Sequence, residues 1–103
     1  MTTTISKETL KRKAQVFKAL GHPSRLAMVE ALLNGERCVC ELQELVGSDM
    51  STVSRHLSVL RNAGLVDDRK DGLKVFYSLR MPCVARFFEC VDEVLGSRFG
   101  IPG

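Results

Sequence analysis

The residues of this chain best suited to chemistry are its four cysteines, two of them spaced as Cys38-Val39-Cys40. Thiolate sulfur binds soft ions, and it oxidises reversibly. Two sulfurs sharing one ion sit roughly 3.5 to 4 Å apart if metal to sulfur is about 2.3 Å, so their side chains must converge. On a regular helix, residues two apart point about 200° away from each other, so Cys38 and Cys40 can chelate only where a strand turns into a helix. Flanked by Arg37 and Glu41, they make poor core material and are the candidate ligands. Cys83 and Cys90 are seven apart, about 10.5 Å along a helix axis, too far to share an ion or to form a disulfide. They border an apolar stripe and are expected to be core thiols, with either one available separately as a third ligand. With His22 and His56 as the only histidines, a histidine-based zinc or nickel site is not expected, and no obligatory cofactor is implied. No nucleophile and base pair or carboxylate dyad stands out, so an enzyme is not expected.

A second chemistry is carried by the segment after Gly47. Ser48 and Asp49 are good N-caps, and Met50, Val53, Leu57 and Leu60 follow at spacings that turn them inward on one helix. The other side then presents Ser51, Thr52, Ser54, Arg55, Ser58, Arg61 and Asn62, with no acidic residue from 50 to 66. A solvated helix mixes both signs of charge; hydroxyls and arginines without carboxylates match what phosphates and base edges require. Arg55, in the first two turns with Ser51, Thr52 and Ser54, can hydrogen-bond guanine O6 and N7 and is the best specificity residue. Arg61, Arg69, Lys70 and Lys74 suit phosphates, although Arg69 and Lys70 equally suit a solvated edge strand. His56 belongs to the DNA-facing segment but flanks the buried stripe, where a packed, hydrogen-bonded imidazole outweighs a DNA or metal contact.

Glycines and prolines divide the chain into the elements that must position these groups. Helical patterns run from Ser6 to about Leu20, from Pro23 to Leu33, from Val39 to Val46 with Gly47 as a left-handed cap, and from Met50 to before Gly64. Strand-like runs 65–70 and 73–79 surround Asp71-Gly72, a hairpin signal. A last helix, Pro82 to about Gly96, carries Val84, Phe87, Phe88, Val91, Val94 and Leu95 as a wide apolar stripe. A short helix pair followed at once by a hairpin is the organisation of a winged helix-turn-helix, mainly α with a β-hairpin wing. The 103 residues are read as one such domain, 1–103, with loose tails at 1–5 and 97–103.

The formal charge of +3 is small, but its location is informative. Residues 1–50 carry seven basic and six acidic side chains, 51–80 six and three, and 81–103 two and three, so the surplus sits in the helix and wing. No run approaches the roughly 18 to 20 apolar residues of a membrane span, and the start lacks a secretory h-region, so the expectation is a cytoplasmic chain with free thiols and no membrane partner. The last helix is broader than one neighbour can cover. A homodimer that includes the first helix follows, placing two recognition helices about 34 Å apart on an inverted repeat of double-stranded DNA.

The segments FKALGHPSRLAMVEALL, ERCVCELQELVG and STVSRHLSVLRNAGLVDDRKDGLKVFYSL resemble the ArsR/SmtB family of metal-responsive bacterial repressors over about residues 14–95, with the arsenic-sensing branch most similar. The resemblance implies a dimeric winged-helix repressor that leaves its operator when an inducer binds, with As(III) or Sb(III) the favoured inducer and Cd(II) or Zn(II) also open. It places Ser54, Arg55 and His56 within the recognition helix and Cys38 and Cys40 on the sensing box. The arsenic pattern has a third cysteine where this chain has Gln43, so a third sulfur would come from Cys83, Cys90, the partner chain or a small-molecule thiol. Two other readings remain open: a redox or persulfide switch on the same fold, and a winged-helix interaction module that does not bind DNA.

Overall fold

The computed structural model describes residues 6–102, and among these are five α-helices and three strands. The expected tail at 1–5 lies outside the described residues. Helix α1 (Lys7–Leu20) starts where the Ser6 hydroxyl accepts the Thr9 N–H at 3.1 Å. Helix α2 (Pro23–Leu32) has Pro23 in its first turn, and His22 Nδ1 accepts the Ser24 N–H at 3.1 Å. A two-residue strand β1 (Arg37–Cys38) leads straight into α3 (Val39–Val46), the strand-to-helix entry that chelation by Cys38 and Cys40 requires. Gly47 closes α3 with a φ of 71°, a conformation that side chains with a Cβ rarely adopt, and α4 (Met50–Asn62) begins three residues later.

Strands β2 (Val66–Asp71) and β3 (Lys74–Leu79) form the wing. Asp71 pairs with Lys74, so the two-residue loop is Gly72-Leu73, one position later than expected. The sole positive φ of the turn, 63°, falls on Gly72, and the loop is placed where that residue leads it. On the other side of β3, β1 pairs Arg37 with Tyr77 and Cys38 with Phe76, giving an antiparallel sheet in the order β1-β3-β2.

Helix α5 (Val84–Phe99) corrects two expectations. Residues 97–99 are helical rather than a loose tail, and Cys83 precedes the helix. Gly96 does not stop it: an interior glycine costs only about 1 kcal/mol relative to alanine, and the end comes at Gly100, whose N–H bonds the Gly96 carbonyl at 3.1 Å.

The core gathers Met28 and Val29 of α2, Leu42 of α3, Val53, Leu57 and Leu60 of α4, and Leu65 and Val66 entering the wing. No polar or charged side chain is buried among the described residues. Helix α5 reaches this core through Val84 and Phe88, while Phe87 and Val94 remain 48% and 51% exposed. On α1, Phe17 is 59% exposed and meets the Phe87 ring edge-on at 6.0 Å between centroids. The apolar sides of α1 and α5 thus form one uncovered face.

Candidate nucleic-acid interface and thiol pair

Core packing of Val53, Leu57 and Leu60 fixes how α4 is rolled. It leaves Ser51, Ser54, Arg55, Ser58, Arg61 and Asn62 exposed, with Thr52 half-buried. Met50, expected inward, is 42% exposed because it sits at the open first turn, above a groove rather than over the core. Ser51 Oγ donates to Asp49 Oδ2 at 2.7 Å, and hydrogen bonds from Thr52 and Ser51 hold the Asp49 carboxyl below the usual carboxylate range. One of the hydroxyls expected at DNA, that of Ser51, is therefore held by the carboxylate of the N-cap residue. Arg55 has no ion-pair partner among the described residues.

The wing is less cationic than its sequence suggests. Arg61 pairs with Asp68 at 3.2 Å, bridging the end of α4 to β2. Arg69 lies over the Phe76 ring, 4.7 Å from its centroid, and reaches across β3 to Glu36, donating from Nε at 2.8 Å and Nη2 at 2.7 Å. That fork holds the Glu36 carboxyl below its ordinary range and raises Arg69. Arg61 and Arg69, both expected to meet phosphates, are thus occupied by carboxylates; Lys70 and Lys74 have no ion-pair partner among the described residues.

His56 turns away from the groove-facing side. It is half-buried, its Nδ1 lies 3.3 Å from Arg25 Nη1, and its ring centroid is 4.5 Å from that of His22. Burial, followed by the nearby His22, Arg25 and Arg55, pushes its pKa down. Sequence reasoning missed Arg25, Glu36 and Asp68. Only charge sign was visible for each, and their partners lie 31, 33 and 7 positions away.

The thiols depart from the expectation of four free cysteines. Cys38 and Cys40 are joined in a disulfide, with α-carbons 5.4 Å apart, because the corner from β1 into α3 turns both side chains to one side as a helix would not. Cys38 is buried and caps α3, its N–H donating to Glu41 Oε1 at 3.1 Å, while Cys40 is exposed. Cys83 and Cys90, expected as core thiols, are both free and exposed, since α5 buries only Val84 and Phe88. Among the described residues no three His, Cys, Asp or Glu side chains converge on a metal position. No described helix is long and apolar enough to cross a membrane.

Against known proteins, the profile of the family described as "Bacterial regulatory protein, arsR family" matches residues 22–68, from the cap of α2 into the wing. An HTH-type transcriptional regulator of Mycobacterium tuberculosis is 40% identical over 87% of this chain and 80% of its own. Its crystal structure matches with a TM-score of 0.78 and 38% identity, over 92% of this chain and 96% of that one. The solution structure of a homodimeric winged helix-turn-helix DNA-binding domain from Mycobacterium bovis matches with a TM-score of 0.74 and 32% identity, over 91% and 89%. A probable mercury resistance operon repressor of Streptomyces lividans is 43% identical over 70% of this chain and 58% of its own.

Proposed function

The chain belongs to the ArsR family of DNA-binding winged-helix regulators, and from that premise we propose a homodimeric repressor of an inverted-repeat operator, released by a soft thiophilic ligand at Cys38 and Cys40. Helix α4 enters the major groove, Arg55 reads a base edge, Ser51, Thr52, Ser54 and Ser58 line the approach, and Lys70 and Lys74 meet phosphates. The observation that carries this reading is the α4 face itself, exposed, free of carboxylates from 50 to 66, with Arg55 unengaged. The homodimeric M. bovis domain and the uncovered α1–α5 face support two copies per operator.

As(III) or Sb(III) is the favoured inducer. The β1–α3 corner brings two sulfurs together, and the likeness to a mercury resistance repressor supports a thiophilic ligand. The ligand tilts the entry of α3 and with it α4, and release requires only that it prefer the DNA-incompetent state by about 1 to 3 kcal/mol. A second reading has a specific observation behind it: the disulfide between Cys38 and Cys40 is itself the two-state element, opened by reductant.

Operator binding titrated with arsenite, antimonite, cadmium, zinc and peroxide, for wild type beside Cys38→Ser and Cys40→Ser, separates the two. Metalloid release under reducing conditions, lost in both variants, supports the first; release by peroxide alone supports the second. Arg55→Ala is expected to weaken the operator by about 1 to 3 kcal/mol and relax one base position, whereas Lys70→Ala weakens all duplexes alike. Undiminished binding by Arg55→Ala would remove α4 from the groove.

A further inference from the structure

Behind the groove-facing side of α4 lie three half-buried side chains that carry or take up positive charge: His22, Arg25 and His56. The two imidazole rings stand 4.5 Å apart between centroids, and Arg25 Nη1 is 3.3 Å from His56 Nδ1. Arginine only donates, so His56 Nδ1 accepts and carries no proton in this contact. His22 Nδ1 likewise accepts the Ser24 N–H at 3.1 Å, closing the first turn of α2. Both rings thus turn an unprotonated nitrogen toward a donor. The other Arg25 bonds run to the Ala19 and Lys18 carbonyls, so the end of α1, the start of α2 and the middle of α4 meet at one point. The charges acting on His56 are His22 and Arg25 from the α2 side and Arg55 from its own helix, while α1 presents only carbonyls, and those to Arg25. Among the described residues no carboxylate pairs with either histidine. These contacts hold together only while the imidazoles are neutral.

We propose that this cluster is a proton-operated release for the operator: a proton taken from solvent by His56 Nδ1 turns an acceptor into a donor facing the Arg25 guanidinium, breaks that contact, and frees α4 from the position in which it binds DNA. The inference rests on α4 being the recognition helix and is independent of the thiol pair. One N–H bond forms, one proton is consumed from the buffer, and no other covalent bond changes. On DNA that proton has two opposed effects. A positive charge on α4 attracts phosphates, but His56 lies on the far side of a helix about 10 Å across, beyond the Debye length of about 8 Å at physiological salt. Repulsion from Arg25 acts across 3.3 Å, between groups that are partly shielded from water. The second effect wins. Burial acts in the same direction, holding His56 below its ordinary 6.5 in the packed arrangement, whereas a ring swung into water regains that value. The operator-competent state therefore binds fewer protons than the released state. Affinity is full above 6.5 and is lost as pH falls through the packed-state pKa.

The probe is the duplex that the wild-type protein selects from a random-sequence pool at pH 7.5. Its dissociation constant is measured from pH 7.5 to 5.5 at fixed ionic strength with no inducer present, for wild type, His56→Gln and His22→Asn, with far-UV helical signal recorded at each pH. Glutamine at 56 offers Arg25 an accepting oxygen that does not titrate, and asparagine at 22 caps α2 without titrating. The readout is the ratio of dissociation constants at the two ends of the range, whatever each variant's affinity at pH 7.5. In wild type the constant should rise by about threefold to tenfold, the upper figure being the limit for one proton bound with an ordinary histidine value. The rise should vanish in His56→Gln and shrink in His22→Asn, which removes one of the cations facing His56. A wild-type affinity that stays flat or tightens with acid, an equal rise in His56→Gln, or a rise that tracks loss of helical signal overturns the proton release while leaving α4 in the groove. A wild-type protein that selects no duplex at pH 7.5 overturns the DNA-binding reading and this inference with it.

Discussion

Arg25 and His56 join three helices. The Arg25 guanidinium donates from Nε to the Ala19 carbonyl at 2.6 Å and from Nη2 to the Lys18 carbonyl at 3.3 Å, and Nη1 lies 3.3 Å from His56 Nδ1. One side chain of α2 therefore caps the end of α1 and touches the middle of α4. Cation at a helix C-terminus meets the negative end of its dipole, so these bonds gain from charge as well as geometry. Arg25→Ala is expected to destabilise the fold by about 1 to 3 kcal/mol, seen as a lower urea midpoint at fixed protein concentration. Arg25→Lys cannot make the same three contacts and should recover less than half of that loss. A midpoint unchanged in Arg25→Ala would mean that α1 is held by packing alone.

The same cluster sets a pH dependence. His56 is pushed below its ordinary value of 6.5 first by burial and then by the positive charge of its neighbours. The folded chain accordingly binds fewer protons at this site than the unfolded chain, and stability rises with pH across that interval. The contribution is fully present above 6.5 and is lost as pH falls through the folded pKa. Unfolding free energy measured from pH 7.5 down to 5 should therefore decline in wild type and decline less in His56→Gln. An equal slope in the two proteins would assign the acid sensitivity to other groups.

Glu36 restrains one cation of the wing, Arg69. Arg69 is forked to Glu36 and also stands 3.7 Å from Asp71, so little of its charge is available to a phosphate. Glu36→Gln removes one negative charge and leaves the arginine able to reach outward. The expected outcome is tighter binding to any duplex at low salt, with the slope of log affinity against log salt steeper by up to about one. Arg69→Ala in the wild-type background should change the slope little, and a large drop would show that the fork opens on DNA.

What was legible in the sequence is what depends on near neighbours. The helix pair around Gly47, the roll of α4 from Val53, Leu57 and Leu60, and the hairpin position to within one residue all follow from spacing within a few turns. Strand β1 is two residues long and exists because β3 pairs with it, Arg37 with Tyr77 and Cys38 with Phe76, at a separation no periodicity can signal. The engagement of Arg61 and Arg69 was hidden for the same reason, since the charge of a residue is local and its partner is not. Cys83 and Cys90 are exposed against cysteine's general tendency to be buried, because α5 commits only Val84 and Phe88 to the core.

The remaining surface that needs an explanation is the one shared by Phe17 and Phe87. Their rings meet edge-on, yet each is about half exposed, and Leu10, Val91 and Val94 extend the same apolar face. In a twofold dimer that uses this face, every residue is counted twice, because the contact it makes on one protomer recurs on the other. Burying the rest of a phenylalanine contributes about 1 to 2 kcal/mol, so Phe87→Glu, which also desolvates two carboxylates, should cost the dimer about 3 kcal/mol or more. That is more than about a hundredfold in the dimer dissociation constant. Sedimentation at micromolar concentration should show a single subunit, with far-UV helical signal preserved, since Phe87 lies outside the buried core. Operator affinity should fall with it, because a lone recognition helix engages one half-site. A Phe87→Glu protein that still sediments as a pair would place the twofold contact on another surface.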